Sequence, residues 1–138
     1  DIECNEMIVD NTCMQLVMKP EQFDIIVTTN LFGDIISDLC AGLVGGLGLA
    51  PGANIGTEAA IFEAVHGSAP DIAGQGIANP CALLLGAGQM LDHIGMADQG
   101  NRLRGAIIAT LEARDTLTPD LGGTGTTLTF AKAIANRL

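Results

Sequence analysis

The sequence of 138 residues predicts an α/β fold in which strands alternate with helices around a partly parallel sheet. Short β-branched runs at residues 24–28 and 60–65 are typical of buried strands. Residues 33–47 instead repeat apolar side chains at helical spacing. Turn residues such as Pro51-Gly52 separate these segments. The alternation of strands with helices is therefore predicted from the extended apolar runs, the helical apolar spacing and the turn residues between them.

The remaining segments extend the same pattern. Pro20 ends one helix, and Asn79-Pro80 is a favourable pair for the N-cap and first position of another. The sequence predicts only two or three strands. Because this is few for a free-standing sheet, we expect partner strands outside this chain. The further predicted elements are a strand at 2–9 and helices at 11–18, from residue 80, at 97–113 and at 127–137.

Composition excludes several classes of partner. The formal net charge of -10 would repel nucleic acid and anionic membranes. A polycarboxylate substrate would need positive charge from a metal ion or from elsewhere, because only 6 Lys and Arg residues are present. The 4 cysteines lack C-x-x-C spacing and indicate reduced, mostly buried thiols of a cytoplasmic protein, or of the mitochondrial matrix in a eukaryote.

Two aspartates mark the most informative segment. Asp34 and Asp38 are four residues apart, so on a helix they share one face. One interpretation is an acidic first turn favoured by the helix dipole. The other is a site for Mg²⁺ or Mn²⁺, which prefer carboxylate oxygens. Asp10 follows an apolar run and is either an N-cap or a third ligand.

The segments around these aspartates resemble the metal-site motifs of the isocitrate/isopropylmalate dehydrogenase family. They are Asp-Asn-Thr-Cys-Met-Gln-Leu at 10–16 and Asn-Leu-Phe-Gly-Asp-Ile-Ile-Ser-Asp at 30–38. The resemblance implies an isopropylmalate-dehydrogenase-like fold and a Mg²⁺ or Mn²⁺ ion. It assigns Asp34 and Asp38 to one subunit's ion, and Asp10 to the ion of the other subunit in a homodimer.

A glycine-rich loop follows the second strand. It contains no G-x-G-x-x-G, so a Rossmann fingerprint is excluded. The loop resembles the coenzyme loop of the same family, which places His66 and Asn79 at the adenosine and Glu63 near the nicotinamide. The residues assigned to the coenzyme by resemblance are Glu63, His66, Gly67, Ser68, Ala69, Pro70, Asp71, Ile72, Asn79 and Asp120.

Coenzyme choice follows from charge. NADP carries a 2′-phosphate that needs basic partners, and NADP-using relatives have Lys and Tyr where Asp71 and Ile72 stand. They also have Tyr and Arg at the positions of Pro119 and Gly123. A carboxylate repels a phosphate and can accept hydrogen bonds from free ribose hydroxyls. The sequence therefore predicts NAD.

The resemblance implies oxidative decarboxylation of isocitrate to 2-oxoglutarate and CO₂. Homoisocitrate and 3-isopropylmalate are alternative substrates, and a non-catalytic regulatory subunit or a bare binding module are alternative roles. The family's catalytic Tyr and Lys have no counterpart here, since Tyr is absent and Lys19 and Lys132 do not match. No catalytic residue is therefore assigned to this chain.

The domain organisation expected from the resemblance is partial. Residues 1–9 would end a small, dimer-forming domain, and residues 10–138 would form the C-terminal part of a large domain. The first residues carry no initiator Met and look internal, so we expect a parent enzyme of roughly 330–350 residues with the missing acid, base and substrate clamp. The fragment alone is expected to be inactive.

Overall fold

A computed structural model describes residues 2–138, which divide into two compact units at residues 46 and 47. The first unit comprises residues 2–46. It contains α1 (Val9–Met18), a short 3₁₀ turn (Pro20–Gln22) and α2 (Asn30–Leu43). α1 packs against α2, and the buried side chains are Thr12, Leu16, Ile36 and Ala41.

The strands predicted at 2–9 and 24–28 do not form in the first unit. Residues 2–8 and 25–29 run without regular structure. Ile25 and Val27 are 84% and 91% exposed. A strand needs a neighbour to pair its N–H and C=O groups, and within residues 2–46 no such neighbour is present. The β-branched composition alone does not supply one.

Both predicted helices of this unit form with different ends. α1 begins at Val9, so the proposed boundary between residues 9 and 10 falls within a helix, and the domain assignment stays a prediction. α2 begins at Asn30 and ends at Leu43, four residues before the predicted end. Gly45 and Gly46 have φ of 116° and 103°, and the Gly46 N–H donates to the Ala41 carbonyl at 2.7 Å. This left-handed turn stops the helix.

The second unit, residues 47–138, contains one hairpin and three helices. The strands β1 (Pro51–Ile55) and β2 (Ala60–Ala64) are antiparallel, with Gly52 opposite Glu63. The expected parallel pairing is corrected here, because four intervening residues are too few for a parallel crossover. The helices are α3 (Cys81–His93), α4 (Ala97–Ala113) and α5 (Thr127–Ala135). The predicted helix at 97–113 is confirmed without change.

The core of this unit lies where the three helices meet. Phe130 and Ile134 of α5 are buried against Ile107 of α4 and Cys81 of α3. α3 and α4 approach closely at glycines, since a Cβ on Gly100 would lie 3.0 Å from the Gly88 carbonyl oxygen. A capping box at Thr126 fixes the start of α5. The loops of this unit are therefore attached to a packed three-helix core.

Candidate metal and coenzyme sites

Asp34 and Asp38 lie on α2, and both are exposed. Because α2 begins at Asn30, the first turn of the helix contains no acidic residue. The helix dipole acts mainly within that first turn, so it does not explain these two carboxylates. Within residues 2–46 neither forms an ion pair or accepts a side-chain hydrogen bond. Two free carboxylates on one helix face fit a hard divalent cation.

Asp10 lies in the first turn of α1, where the N-cap is Ile8. The N-cap interpretation of Asp10 is therefore wrong by two positions. Its Oδ1 accepts a hydrogen bond from the Asn11 N–H at 2.7 Å, and its side chain is exposed. Across residues 2–138 no three His, Cys, Asp or Glu side chains gather around a possible metal position. The three-aspartate assignment stays a prediction, since the resemblance places Asp10 at another subunit's ion.

The predicted coenzyme loop follows β2, and its first residues are exposed. The Oε1 of Glu63 accepts a hydrogen bond from Asn54 Nδ2 at 3.0 Å, which ties Glu63 to β1. The His66 Nδ1 lies 3.0 Å from the Gly67 carbonyl oxygen. Ala69 has a φ of 41° and leads into a 3₁₀ turn, Pro70–Ile72. These exposed backbone and side-chain groups provide an open surface on which a flat ligand can lie.

Two predicted coenzyme residues far apart in sequence are in direct contact. Asn79 Nδ2 donates to Asp120 Oδ2 at 2.9 Å. The Asn79 Oδ1 accepts from the Cys81 N–H at 2.9 Å, but α3 begins at Cys81 with Pro80 as its N-cap, so the predicted N-cap at Asn79 lies one residue too early. A Cβ on Gly48 would lie 3.2 Å from Asp120 Oδ2 and 3.3 Å from Asn79 Cβ. The loop before β1 therefore closes over this pair.

A tight turn carries Asp120. The Gly123 N–H donates to the Thr118 carbonyl at 3.1 Å, and the Gly125 N–H donates to the Leu117 carbonyl at 2.7 Å. A Cβ at Gly123 would overlap that Leu117 carbonyl oxygen. The glycine predicted to mark NAD preference is thus also required by the path of the backbone.

Cys81, whose N–H donates to Asn79, is the first residue of α3. It is fully buried, and burial, followed by the negative charge of Asp120, raises the pKa of its thiol to about 11. Cys4 is exposed while Cys13 and Cys40 are half-buried, so the expectation of mostly buried thiols holds only for Cys81.

Sequence reasoning missed the residues that support the site rather than form it. Asn54 holds Glu63, and Gly48 packs on the Asn79–Asp120 pair. Their glycine and asparagine identities alone do not distinguish them from ordinary turn residues.

Comparison with known proteins identifies the family. The sequence profile of isocitrate/isopropylmalate dehydrogenase matches residues 1–135. The chain belongs to this family. It is 58% identical over 137 residues to an isocitrate/homoisocitrate dehydrogenase of Thermus thermophilus, covering 99% of this chain and 41% of that protein. It is 52% identical over 139 residues to the mitochondrial isocitrate dehydrogenase [NAD] subunit alpha of Homo sapiens, covering 100% of this chain and 38% of that subunit.

A solved structure gives the same result. Isocitrate dehydrogenase from Methylococcus capsulatus superimposes with a TM-score of 0.90 at 56% identity, over 99% of this chain and 41% of that one. The predicted isopropylmalate-dehydrogenase-like α/β fold is thereby confirmed. The chain spans about two fifths of the length of these relatives. Within residues 2–138 the helices are too short or too polar to cross a membrane.

Proposed function

We propose that the chain is the metal- and coenzyme-binding portion of an NAD-linked, metal-dependent dehydrogenase that decarboxylates isocitrate to 2-oxoglutarate. The observation that carries the proposal is the 2.9 Å hydrogen bond between Asn79 and Asp120. It joins two residues, 41 positions apart, that the family resemblance assigns to the same coenzyme. Such a junction is expected of a binding surface assembled from separate loops.

Asp34 and Asp38 would hold the divalent ion. Their carboxylates lack a partner within residues 2–46, and they lie on the same face of α2. A bound Mg²⁺ or Mn²⁺ would supply positive charge to the substrate hydroxyl and to the enolate left by loss of CO₂. That charge is needed because the chain itself is strongly acidic, with a net charge of -10. Asp10 would act from a second subunit.

A homodimer fits the exposed side chains of the first unit. Met14, Val17 and Met18 of α1 are about half to two-thirds exposed, and so are Leu31 and Ile35 of α2. Apolar stripes of this kind on adjacent helices are typical of helix–helix interfaces. A second copy of the same helices would bury them and would bring its own Asp10 with it.

The coenzyme surface favours NAD over NADP. Asp71 and Asp120 are exposed carboxylates at the two coenzyme segments and would repel a 2′-phosphate. At Gly123, where NADP-using relatives carry Arg, the Leu117 carbonyl leaves no room for a side chain. The role of Glu63 is to face the nicotinamide, with Asn54 holding its carboxylate in place.

Proton transfer and substrate clamping are assigned to the portion of the parent enzyme that this chain does not contain. The chain has no Tyr, so the expected Tyr and Lys pair must come from elsewhere. Homoisocitrate and 3-isopropylmalate remain competing substrates because relatives acting on them share these segments. We place the enzyme in a reducing compartment, the cytoplasm or, in a eukaryote, the mitochondrial matrix.

The test is a steady-state assay of the full-length parent enzyme, expressed alone. Isocitrate, homoisocitrate and 3-isopropylmalate are each supplied with NAD⁺ or NADP⁺, with Mn²⁺ or with a chelator. We expect the highest kcat/KM with isocitrate, NAD⁺ and Mn²⁺, and loss of turnover on chelation. Equal or better use of NADP⁺ would contradict the coenzyme assignment. Absence of turnover with every substrate would support a regulatory subunit instead.

A further inference from the structure

Both polar atoms of the Asn79 side-chain amide form hydrogen bonds. The Oδ1 accepts from the Cys81 N–H, and the Nδ2 donates to Asp120, each at 2.9 Å. An amide has two donor hydrogens and two acceptor lone pairs. One hydrogen and one lone pair of Asn79 therefore stay free, and their directions are set by the two bonds already made. A flipped amide would lose both bonds, because it would place N–H against N–H and oxygen against carboxylate.

The acceptor that fixes this orientation is itself held in place. Asp120 lies in a 3₁₀ turn, Pro119–Leu121, whose carboxyl end is closed by the bond from the Gly123 N–H to the Thr118 carbonyl. Gly48 lies close to both Asp120 and Asn79, since an added Cβ would approach them to 3.2 and 3.3 Å. The backbone N–H of the fully buried Cys81 donates to Asn79. The 3₁₀ turn, Gly48 and the start of α3 thus together limit the movement of the pair.

We propose that Asp120 is a positioning residue that fixes the amide of Asn79 for the adenosine half of NAD. The inference rests on the proposed function, since it assumes that NAD lies on this surface. An adenine edge presents an amino donor beside a ring-nitrogen acceptor, and a side-chain amide with one free donor and one free acceptor can match it. An amide oriented in advance avoids the cost of ordering on binding.

The key variants separate this role from direct contact with the ligand. Asp120→Ala removes the acceptor, whereas Asp120→Asn retains a carbonyl oxygen that can accept from Asn79. Asn79→Ser keeps an oxygen to cap the Cys81 N–H but loses the donor to Asp120. Asp115→Ala is the matched control, because Asp115 is also an exposed aspartate just before the same turn.

The experiment measures the Kd of the full-length parent enzyme for NAD⁺ and for nicotinamide mononucleotide by calorimetry. Nicotinamide mononucleotide lacks the adenosine half. For Asp120→Ala we expect a rise in the Kd for NAD⁺ of about five- to ten-fold, which lies within the usual range for losing one hydrogen bond. Its Kd for nicotinamide mononucleotide should not change. Asp120→Asn should recover part of the loss, and Asp115→Ala should bind both ligands as the unsubstituted enzyme does.

Coupling between the two residues decides the role. If Asp120 acts through Asn79, the double variant Asn79→Ser/Asp120→Ala should bind NAD⁺ no more weakly than Asn79→Ser alone. Additive losses would overturn the proposal by showing direct contact of Asp120 with NAD⁺. If Asp120→Ala weakened the binding of nicotinamide mononucleotide as much as that of NAD⁺, the proposal would be overturned, because the loss would reflect general damage to the fold. An unchanged Kd of Asp120→Ala for NAD⁺ would also overturn it, because Asp120 would then have no role in binding. An unsubstituted enzyme that does not bind NAD⁺ at all would instead contradict the proposed function.

Discussion

The first and second units bury their apolar side chains to very different extents. Residues 47–138 have a contiguous core of Phe130, Ile107 and Ile134 that is less than 2% exposed. Residues 2–46 bury only four side chains and leave Ile25, Val27 and Leu31 mostly exposed. Exposed apolar surface of this kind marks an interface or a missing neighbour.

The difference shows which part of the site the chain can build by itself. The residues of the second unit that are proposed to bind the coenzyme are connected by hydrogen bonds and by close packing at glycines. The carboxylates proposed to hold the metal ion lie in the first unit, on a two-helix element with few buried side chains. We infer that the coenzyme surface is stabilised by its own unit, whereas the metal site depends on surfaces supplied by the rest of the parent enzyme and by a second subunit.

The largest expected effect is on the core of the second unit. Phe130→Ala should lower the free energy of unfolding of residues 47–138 by about 3–5 kcal/mol, because the ring is fully buried and leaves a cavity. Leu16→Ala, the matched change in the first unit, should cost no more than about 2 kcal/mol, since its surroundings can collapse. Hydrogen exchange read by mass spectrometry distinguishes the units. Equal losses in the free energy of unfolding for the two variants would contradict the proposed difference between the two units.

A smaller effect is expected at the turn that carries Asp120. Gly123→Ala should destabilise the second unit by about 1–3 kcal/mol, because the new Cβ would overlap the Leu117 carbonyl. Gly105→Ala is the control. It lies in α4 with no atom within 4 Å of the added methyl, and it should stabilise the unit by about 0.5–1 kcal/mol through helix propensity. Urea unfolding measures both, and a neutral Gly123→Ala would show that the turn can move.

The smallest effect is a dependence of stability on alkaline pH. The pKa of Cys81 is raised from 9.0 to about 11 in the folded chain. As the pH rises, the thiol of the unfolded chain therefore loses its proton before the thiol of the folded chain does. The contribution of this thiol to the free energy of unfolding is full below pH 9.0 and is lost as the pH rises through about 11. Cys81→Ala should flatten the decline in this window, while Cys4→Ala, at an exposed thiol, should leave it unchanged. Thermal unfolding at pH 8 to 11 measures the slope.

The sequence predicted the helices well because their signals are local. Apolar spacing and turn residues identified α4 to the residue, and Asn79-Pro80 marked the start of α3. The strand at 24–28 could not be predicted reliably, because pairing depends on chain elements that residues 2–46 do not contain. The antiparallel hairpin was missed because the pattern reveals extended segments but not their direction.

The candidate site also combines features that the sequence predicts with features that depend on contacts between distant segments. Motif resemblance assigned Asn79 and Asp120 to one ligand, and the structure brings them into contact. Nothing in the spacing of the sequence shows that Gly48 closes over the pair or that Gly123 lacks room for a side chain. These depend on contacts between segments tens of residues apart. A site formed by Asp10 with Asp34 and Asp38 would need a second subunit, and it stays a prediction.

The most direct test of the account is the Mn²⁺ affinity of the full-length parent enzyme in the presence of isocitrate, measured by titration calorimetry. Asp38→Asn should weaken Mn²⁺ binding by on the order of 100-fold or more, since even residues that only support metal ligands cost about 10- to 100-fold. Asp24→Asn, which removes the same charge from an exposed position in the first unit, should bind Mn²⁺ normally. An Asp38→Asn enzyme with unchanged Mn²⁺ affinity would contradict the assignment of the α2 carboxylates to a metal.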